Sequence, residues 1–517
     1  MTKSVTIVGG GTAGWITAAY LARMLSTDLA GGVTIKLIES PDIGIIGVGE
    51  GTFPSIRKTL NRIGLDESRL FREANATFKQ GVRFVNWRKD SDVYYHLFQP
   101  ANKPRGLDLL PYWLLGAGGD KPWSAACNVQ QRMVEAMLAP KLATHEDYAG
   151  PLAYAYHFDA VEFAAVLRRH AVGLGVVHLS DTVTQVRVSG DGAITSLLTH
   201  GHGVQTADLY IDCTGFRAQL IGEALKIPFT SRRDALFVDR AVAIQVPYER
   251  PDAPIASCTI ATAQEAGWTW DIGLSSRRGL GYVYSSDHTS DDRAEALLRA
   301  HIGPAAATLN ARVLKFEAGY RKVQWRKNCV AIGLSCGFIE PLEATGIGFA
   351  ENAALVLAAL FPWSGEMETS ARQYNEIMAK RYENVIDFIK LHYCLTERRD
   401  TDFWRDNVEP ASVSSGLRER LERWRYRMPD FLDVDYNHDT FIEGNWRQVL
   451  YGMGFFTDLS TRKGAYRYFD EARAEFAEIQ RQADYGLTVM PSHRALIEQI
   501  QRGDLQRPQP NQNLEHA

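Results

Sequence analysis

The first 39 residues constrain the fold more than any other stretch. Ser4 to Val8 is an apolar, β-type run; Gly9-Gly10-Gly11-Thr12-Ala13-Gly14 follows it. A helical pattern then spans Trp15 to Leu25, and a second strand-like run, Val33 to Ile38, ends at Glu39. A strand that turns through glycines directly into a helix and returns as a strand opens a parallel βαβ unit. Gly9, Gly11 and Gly14 allow the tight turn, the close approach of a pyrophosphate to backbone, and tight packing of helix on strand. Glu39, 25 residues past Gly14, is placed to hold a ribose hydroxyl. Dinucleotide binding is therefore expected of residues 9–14 and Glu39.

The remaining bounds are permissive. A chain of 517 residues can bury a large core, and 45% hydrophobic with 23% charged residues is ordinary for a globular protein. A net charge of −4 argues against a nucleic-acid partner or an anionic membrane surface. The start, MTKSVTIVGGG, lacks the layout of a signal peptide, and no apolar run matches a bilayer, so a cytoplasmic protein without a membrane partner is expected. Six scattered cysteines and thirteen histidines show no metal-binding spacing, so reduced thiols and no structural metal are expected.

Between Pro151 and Gly215 the pattern is mixed. A strand is predicted over Leu152 to Tyr156, then a helix opened by Asp159 with Glu162 as a capping box, then short strands including Val183 to Val188. Leu209 to Asp212 runs into Cys213-Thr214-Gly215. From Met367 onward the character is helical: Tyr374, Met378, Arg381/Tyr382, Val385, Phe388 and His392 form an amphipathic stripe, and further helices are predicted over Ser415 to Arg427 and Asp470 to Tyr485. The fold class expected is α/β, a monooxygenase-like FAD-binding arrangement with mixed sheets and a mainly helical substrate part. The division falls near Pro362, giving 1–362 and 363–517, with 87–150 packing toward the helical part. Only one complete GxGxxG is present, so no separate nicotinamide domain is expected.

A second stretch concentrates chemistry. Ala331 to Phe349 continues a strand-like run into Gly333, passes a proline-stiffened turn with Glu340 and Glu343, and closes at Thr345-Gly346-Ile347-Gly348 before a helix-like run, AENAALVLAALF. Backbone N–H groups at a helix start carry partial positive charge and suit an anion.

Three motifs carry a specific resemblance: Phe78-Lys79-Gln80-Gly81, Gly267-Trp268-Thr269-Trp270-Asp271-Ile272, and Phe338-Ile339-Glu340-Pro341-Leu342-Glu343. Gly47-Val48-Gly49-Glu50, His392-Tyr393, Arg399-Asp400-Thr401 and Phe403-Trp404 add to them. Together, from Gly9 to about Gly454, the chain resembles the flavin-dependent tryptophan halogenase family. It departs at two places. Gly273 stands where the family's tryptophan motif has proline, which is expected to loosen a turn. Ala344 stands where the family has a serine after the second glutamate, removing a hydroxyl beside the presumed base.

The resemblance implies that reduced FAD and dioxygen oxidise chloride or bromide to hypohalous acid, which travels through a tunnel to a lysine beside the aromatic substrate. Lys79 would be that lysine, acting as an ammonium that polarises the oxidant or as an amine that forms a haloamine. Glu343 would take the ring proton or help polarise the oxidant. Thr345 and Gly346 match the halide site, and Ile347 the pyrimidine end of the flavin. Gly9, Gly10, Gly11, Thr12, Ala13, Gly14, Glu39, Ser40, Ile43, Gly51, Val183 and Leu334 map onto the cofactor-binding positions. His96 and Phe98 match the aromatic clamp, Phe441 stands about where a tryptophan completes it, and a carbonyl near Pro341 would accept the indole N–H. Trp268 and Trp270 are assigned no chemical step.

Free tryptophan needs partners for a carboxylate and an ammonium. In tryptophan-specific members these come from a loop with paired tyrosines and a glutamate; here residues 433–440 read DVDYNHDT, without the tyrosine pair. An unpaired charge in such a pocket costs several kcal/mol, roughly, so indole or a small substituted indole is expected. Reduced FAD is expected from a separate reductase. An FAD hydroxylase of the same fold and a catalytically silent flavin-binding protein are the alternatives. Halide preference and the choice between monomer and homodimer stay open.

Overall fold

A computed structural model describes residues 1–27, 31–44 and 49–504. The nucleotide-type sheet has six strands in the order Trp325–Arg326, Cys329–Ala331, Leu209–Asp212, Ser4–Val8, Thr34–Glu39, Val177–Ser180. All its neighbours are parallel except the short outer pair 325–326 with 329–331. Being covered on both faces, its strands read as nearly continuous apolar runs, which is why they stand out in the sequence. Helix Thr12–Met24 packs on this sheet against helices Ala160–Gly173 and Thr345–Ala359.

A seven-stranded sheet lies next in the architecture: Ala311–Lys315, Arg240–Pro247, Arg277–Tyr284, Gly267–Gly273, Thr259–Gln264, Gly81–Val85, Val93–Leu97. It is antiparallel except where 259–264 runs parallel to 81–85. A three-stranded sheet joins Gly49–Gly51, Ala155–Asp159 and Thr77–Lys79, with His157 paired to both Gly51 and Thr77. Its central strand begins three residues later than the apolar pattern predicts. The backbone of Ala153 is instead satisfied by side-chain amides, its N–H donating to Gln99 Oε1 and its carbonyl accepting from Gln130 Nε2. Asp159 does cap the following helix, accepting from the N–H groups of Val161 and Glu162. The reciprocal bond from Glu162 is absent among the described residues, so the capping is one-sided, and Asp159 spends its other oxygen on Arg277 at 2.7 Å.

The C-terminal part is helical: Glu368–Cys394, Ser415–Trp424, Glu443–Gly452, Phe469–Val489 and His493–Arg502. Tyr374, Met378, Tyr382, Val385, Phe388 and His392 are all buried along the 27-residue helix, as its period requires. The segment 87–150 touches this part through Trp113 on Tyr451 and Tyr112 on Phe469. The main hydrophobic core draws on residues from Val5 to Ile500. Among the described residues no helix is long and apolar enough to cross a membrane.

Candidate active site

The glycine loop divides into packed and open positions. Gly9, at φ +114°, would drive a Cβ to 2.1 Å from Cys213 O, and a Cβ on Gly14 would meet Gly9 O at 1.9 Å. Gly10 faces the Glu39 carboxylate, 2.2 Å from where its Cβ would lie. Gly11 meets nothing within 4 Å. Thus two glycines serve packing, one seats the acid, and one leaves the helix start clear for a ligand. Glu39 lies 3.0 Å from His178 Nε2. Ser40 and Thr182 share a hydroxyl hydrogen bond of 2.8 Å, which brings Val183 alongside. Leu334 lies in the turn Gly333–Ser335, where a Cβ on Gly333 would fall 2.6 Å from Ala13. Ile43, four residues past Glu39, is 65% exposed. An open glycine and a seated acid at one helix start fit a flavin dinucleotide. Of the motif at 47–50, Gly47 and Val48 lie outside the described residues.

Helix Thr345–Ala359 begins earlier than the apolar run suggests, because Ala344 adopts the left-handed conformation, φ 53° and ψ 42°, and turns the chain into it. That conformation costs an alanine about 1 kcal/mol or more. Ala344 N–H closes the turn onto Pro341 O at 2.9 Å. No side chain caps this helix among the described residues, and its first turn carries no acid. The buried Thr345 Oγ1 has no hydrogen-bond partner there, and Gly346 faces open space. These are the features of a small anion's seat. Ile347 is buried in the same turn.

Lys79 ends the strand Thr77–Lys79 and is only 1% exposed. Its ammonium makes no ion pair among the described residues and lies 5.4 Å from the Phe98 ring centroid. Burial pushes the Lys79 amine down to about 8, against the pull of the Glu343 charge. A methyl built on Gly51 would sit 3.0 Å from Lys79 Nζ, 3.4 Å from Ala344 Cβ and 3.5 Å from His157 Cδ2. Lysine, glutamate loop and a buried histidine therefore meet above Gly51. Burial, with the Lys79 charge beside it, holds His157 well below the usual imidazole range. The strand is anchored by Phe78 N–H donating to His493 Nε2 at 3.0 Å and by Thr77 Oγ1 donating to Gly273 O at 2.6 Å.

Glu343 is enclosed by imidazoles. His96 Nδ1 lies 2.9 Å from each carboxylate oxygen. His392 Nε2 lies 3.1 Å from Oε1 but out of line for a hydrogen bond, so that contact is electrostatic. Burial pushes the carboxyl up, and positive charge on the two imidazoles, His96 foremost, outweighs it and would hold it at about 2 with those rings protonated. Glu340 goes the other way: burial raises it to about 7, although Trp268 Nε1 and the Tyr393 hydroxyl each donate to Oε2 at 3.0 Å. Two carboxylates three residues apart thus have opposite protonation preferences. His96 and Phe441 have ring centroids 6.1 Å apart, and Phe441 stacks on Phe388 at 3.9 Å.

Gly273 does not loosen its turn. Leu274 N–H closes the hairpin onto Arg277 O at 2.8 Å, and the Tyr248 hydroxyl, 3.1 Å from where a Cβ would lie, bonds Leu274 O. Tyr248 and Ile255 fill the volume a proline ring would take. Trp270 gains its place from Gly281 on the next strand, where a Cβ would fall 2.1 Å from the indole.

Three residues around Glu343 escaped the sequence reading as site residues. The Tyr94 hydroxyl lies 2.6 Å from His392 Nδ1, and its signal was available: it is two residues before His96 on one strand, hence on the same face. His392 was visible only as part of a motif. Asn445, whose amide lies 2.9 Å from His96 Nε2, had no signal, since nothing local ties residue 445 to residue 96.

The tryptophan halogenase family model matches residues 4–466. The 7-chloro-L-tryptophan 6-halogenase KtzR of Kutzneria sp. (strain 744) is 37% identical, covering 95% of this chain and 98% of that protein. The crystal structure of a tryptophan halogenase from Shewanella frigidimarina NCIMB 400 superposes with TM-score 0.92 at 41% identity, covering 97% of this chain and 98% of that one. BrvH, a flavin-dependent halogenase from Brevundimonas sp. BAL3, superposes with TM-score 0.86 at 33% identity, over 97% and 99% of the two chains. With likeness running over nearly the whole length of each relative, this chain belongs to the tryptophan halogenase family of flavin-dependent enzymes.

Proposed function

We propose that the protein halogenates an indole-type ring, with Lys79 presenting hypohalous acid and Glu343 accepting the ring proton. The observation that carries this reading is a buried lysine ammonium without an ion pair among the described residues, set over Gly51 beside a glutamate in hydrogen-bond contact with His96. FAD would be held by Gly9, Gly10, Gly11, Thr12, Ala13, Gly14, Glu39, Ser40, Ile43, Gly51, Val183, Leu334 and Ile347. When bound and reduced, by a separate reductase, it supplies with dioxygen the oxidising equivalent that turns halide into hypohalous acid. Halide would sit on the N–H groups of Thr345 and Gly346.

At pH 7 a lysine titrating at about 8 is an ammonium in roughly nine molecules of ten. Hydrogen bonding to the oxidant is therefore favoured over a haloamine. As the ring carbon bonds to halogen, the halogen–oxygen bond breaks and the oxygen leaves as water with a proton from Lys79. The ring then gives its own proton to Glu343, and transfer of that proton back to Lys79 restores the site. His96, Phe98 and Phe441 would hold the ring by their faces. The Phe98 ring centroid also lies 5.4 Å from the ammonium, so stacking there puts the reacting carbon beside Lys79.

Several acids on either side of Phe441 are already engaged: Asp433 with Arg427 at 2.6 Å, Asp435 with His438 at 2.5 Å, and Glu443 with the Tyr436 hydroxyl at 2.6 Å. Phe431 and Leu432, in the same segment, are apolar and 63% and 73% exposed. Both features support indole or a small substituted indole over free tryptophan. Incubation with a partner reductase, FAD, oxygen, and chloride or bromide, followed by mass spectrometry on a panel of indoles and tryptophan, tests this. Halogenated indoles, lost in Lys79→Ala with flavin binding kept, are expected. Hydroxylated products, or halogenation surviving Lys79→Ala, would overturn it.

A further inference from the structure

Glu343 lies within a chain of side chains that runs Asn445, His96, Glu343, His392, Tyr94. A carboxylate 2.9 Å from His96 Nδ1 requires a proton on that nitrogen. The state of Nε2 is then set by Asn445. The Asn445 amide is oriented by its own helix start: Oδ1 accepts from Ile442 N–H at 3.0 Å, so Nδ2 is the atom that faces Nε2 at 2.9 Å. An N–H donor facing Nε2 requires a bare lone pair there, because a second proton would set two donors against each other. His96 is consequently the neutral Nδ1–H tautomer. At the other end the Tyr94 hydroxyl can donate or accept, so it imposes no such rule on His392; burial keeps that ring neutral.

We propose that Asn445 is a positioning residue that keeps His96 uncharged, so that Glu343 stays an effective base and Lys79 remains the single cation at the reacting ring. This rests on the halogenase reading above. The argument from charge is direct. An imidazolium in contact with both carboxylate oxygens would draw the negative charge away from the ring proton. It would also add a positive charge beside a ring that itself becomes cationic as the halogen bonds. The titratable groups facing Glu343 and His96 are Lys79 from the strand 77–79, Glu340 from the same loop, Tyr94 from the strand of His96, and His392 from the long helix; Lys390 lies behind Glu340. His96 Nδ1 touches both oxygens while His392 approaches only Oε1, so Oε2 is the less encumbered oxygen for the proton.

The test combines kcat measurements with ¹⁵N-histidine NMR on the full-length protein. Wild type should show His96 as the Nδ1–H tautomer with a bare Nε2 at neutral pH, assigned against His96→Gln. In Asn445→Leu, similar in volume but without a donor, that tautomer preference should be lost and kcat should fall. In Asn445→Asp, which keeps the shape and reverses the electrostatics, His96 should be an imidazolium at neutral pH. Its kcat at pH 7 should fall tenfold or more, below that of the leucine variant. A packing role predicts the opposite order, with the near-isosteric aspartate milder. A proton on wild-type Nε2 at neutral pH, a measurement that needs no variant, would overturn the proposal. So would an unchanged tautomer and kcat in both variants while Lys79→Ala still abolishes halogenation. Wild type that halogenates no indole would instead bring down the parent reading, and this proposal with it.

Discussion

Removing the Lys79 charge should stabilise the protein while abolishing its chemistry. In Lys79→Met the side chain keeps its length and loses the buried ammonium. An amine at about 8 in the folded state and 10.5 unfolded makes the charged form costlier by about 3 kcal/mol, at 1.36 kcal/mol per unit. The lowered value already contains the compensating attraction to Glu343, so the figure is a net cost. The sign follows from proton counting: between pH 8 and 10.5 the unfolded chain binds the proton and the folded one does not, so native stability rises with pH through that window. Below it both states carry the charge and the full cost is felt; above it neither does. Thermal unfolding measures this. With about 2.1 cal/mol/K of unfolding entropy per residue, 3 kcal/mol corresponds to a Tm rise of about 3 °C. Lys79→Met should thus melt about 3 °C higher at pH 7, with a gap that closes toward pH 10.5. A variant that melts at or below wild type at pH 7, or a gap indifferent to pH, would refute the reasoning.

Other expectations follow from the same geometry. Halogenation should lose activity as pH rises through about 8, because the polarising ammonium is lost there; a rate–pH profile without an alkaline limb near that value would contradict it. Gly51→Ala places a methyl 3.0 Å from Lys79 Nζ and should lower kcat on the order of 10²-fold through displacement of the amine, read alongside flavin affinity to separate the two effects. Glu343→Gln should cost roughly 10²- to 10⁴-fold in kcat, the usual worth of a placed proton acceptor, and a smaller loss would assign the ring proton elsewhere. Gly10→Ala would push the Glu39 carboxylate from its seat and should weaken FAD binding at least about tenfold by fluorescence titration, the loss of one charge-assisted hydrogen bond. Gly273→Pro, which restores the family's residue, should destabilise by about 1–3 kcal/mol because Tyr248 and Ile255 occupy the ring's volume; Tyr248→Ala in the same chain should recover part of the Tm.

What could be read from the chain by itself is local or periodic. The βαβ opening at Ser4–Glu39, the helical stripe from Tyr374 to His392 and the glycine and tryptophan motifs depend on neighbours a few residues apart, so their signals survive in one dimension. Resemblance added Lys79 and Glu343, which no periodicity marks. Tertiary structure decided what surrounds them. Ala153 trades a strand for the side chains of Gln99 and Gln130, and Gly273 keeps its hairpin because Tyr248 arrives from elsewhere in the chain. Glu340 and Glu343 look equivalent in sequence, yet one is raised to about 7 and the other held at about 2. The reason is that a buried charge is set by whatever packs against it. His96 and His392 reach Glu343, and Asn445 reaches His96, only when strand, long helix and late helix fold onto one loop.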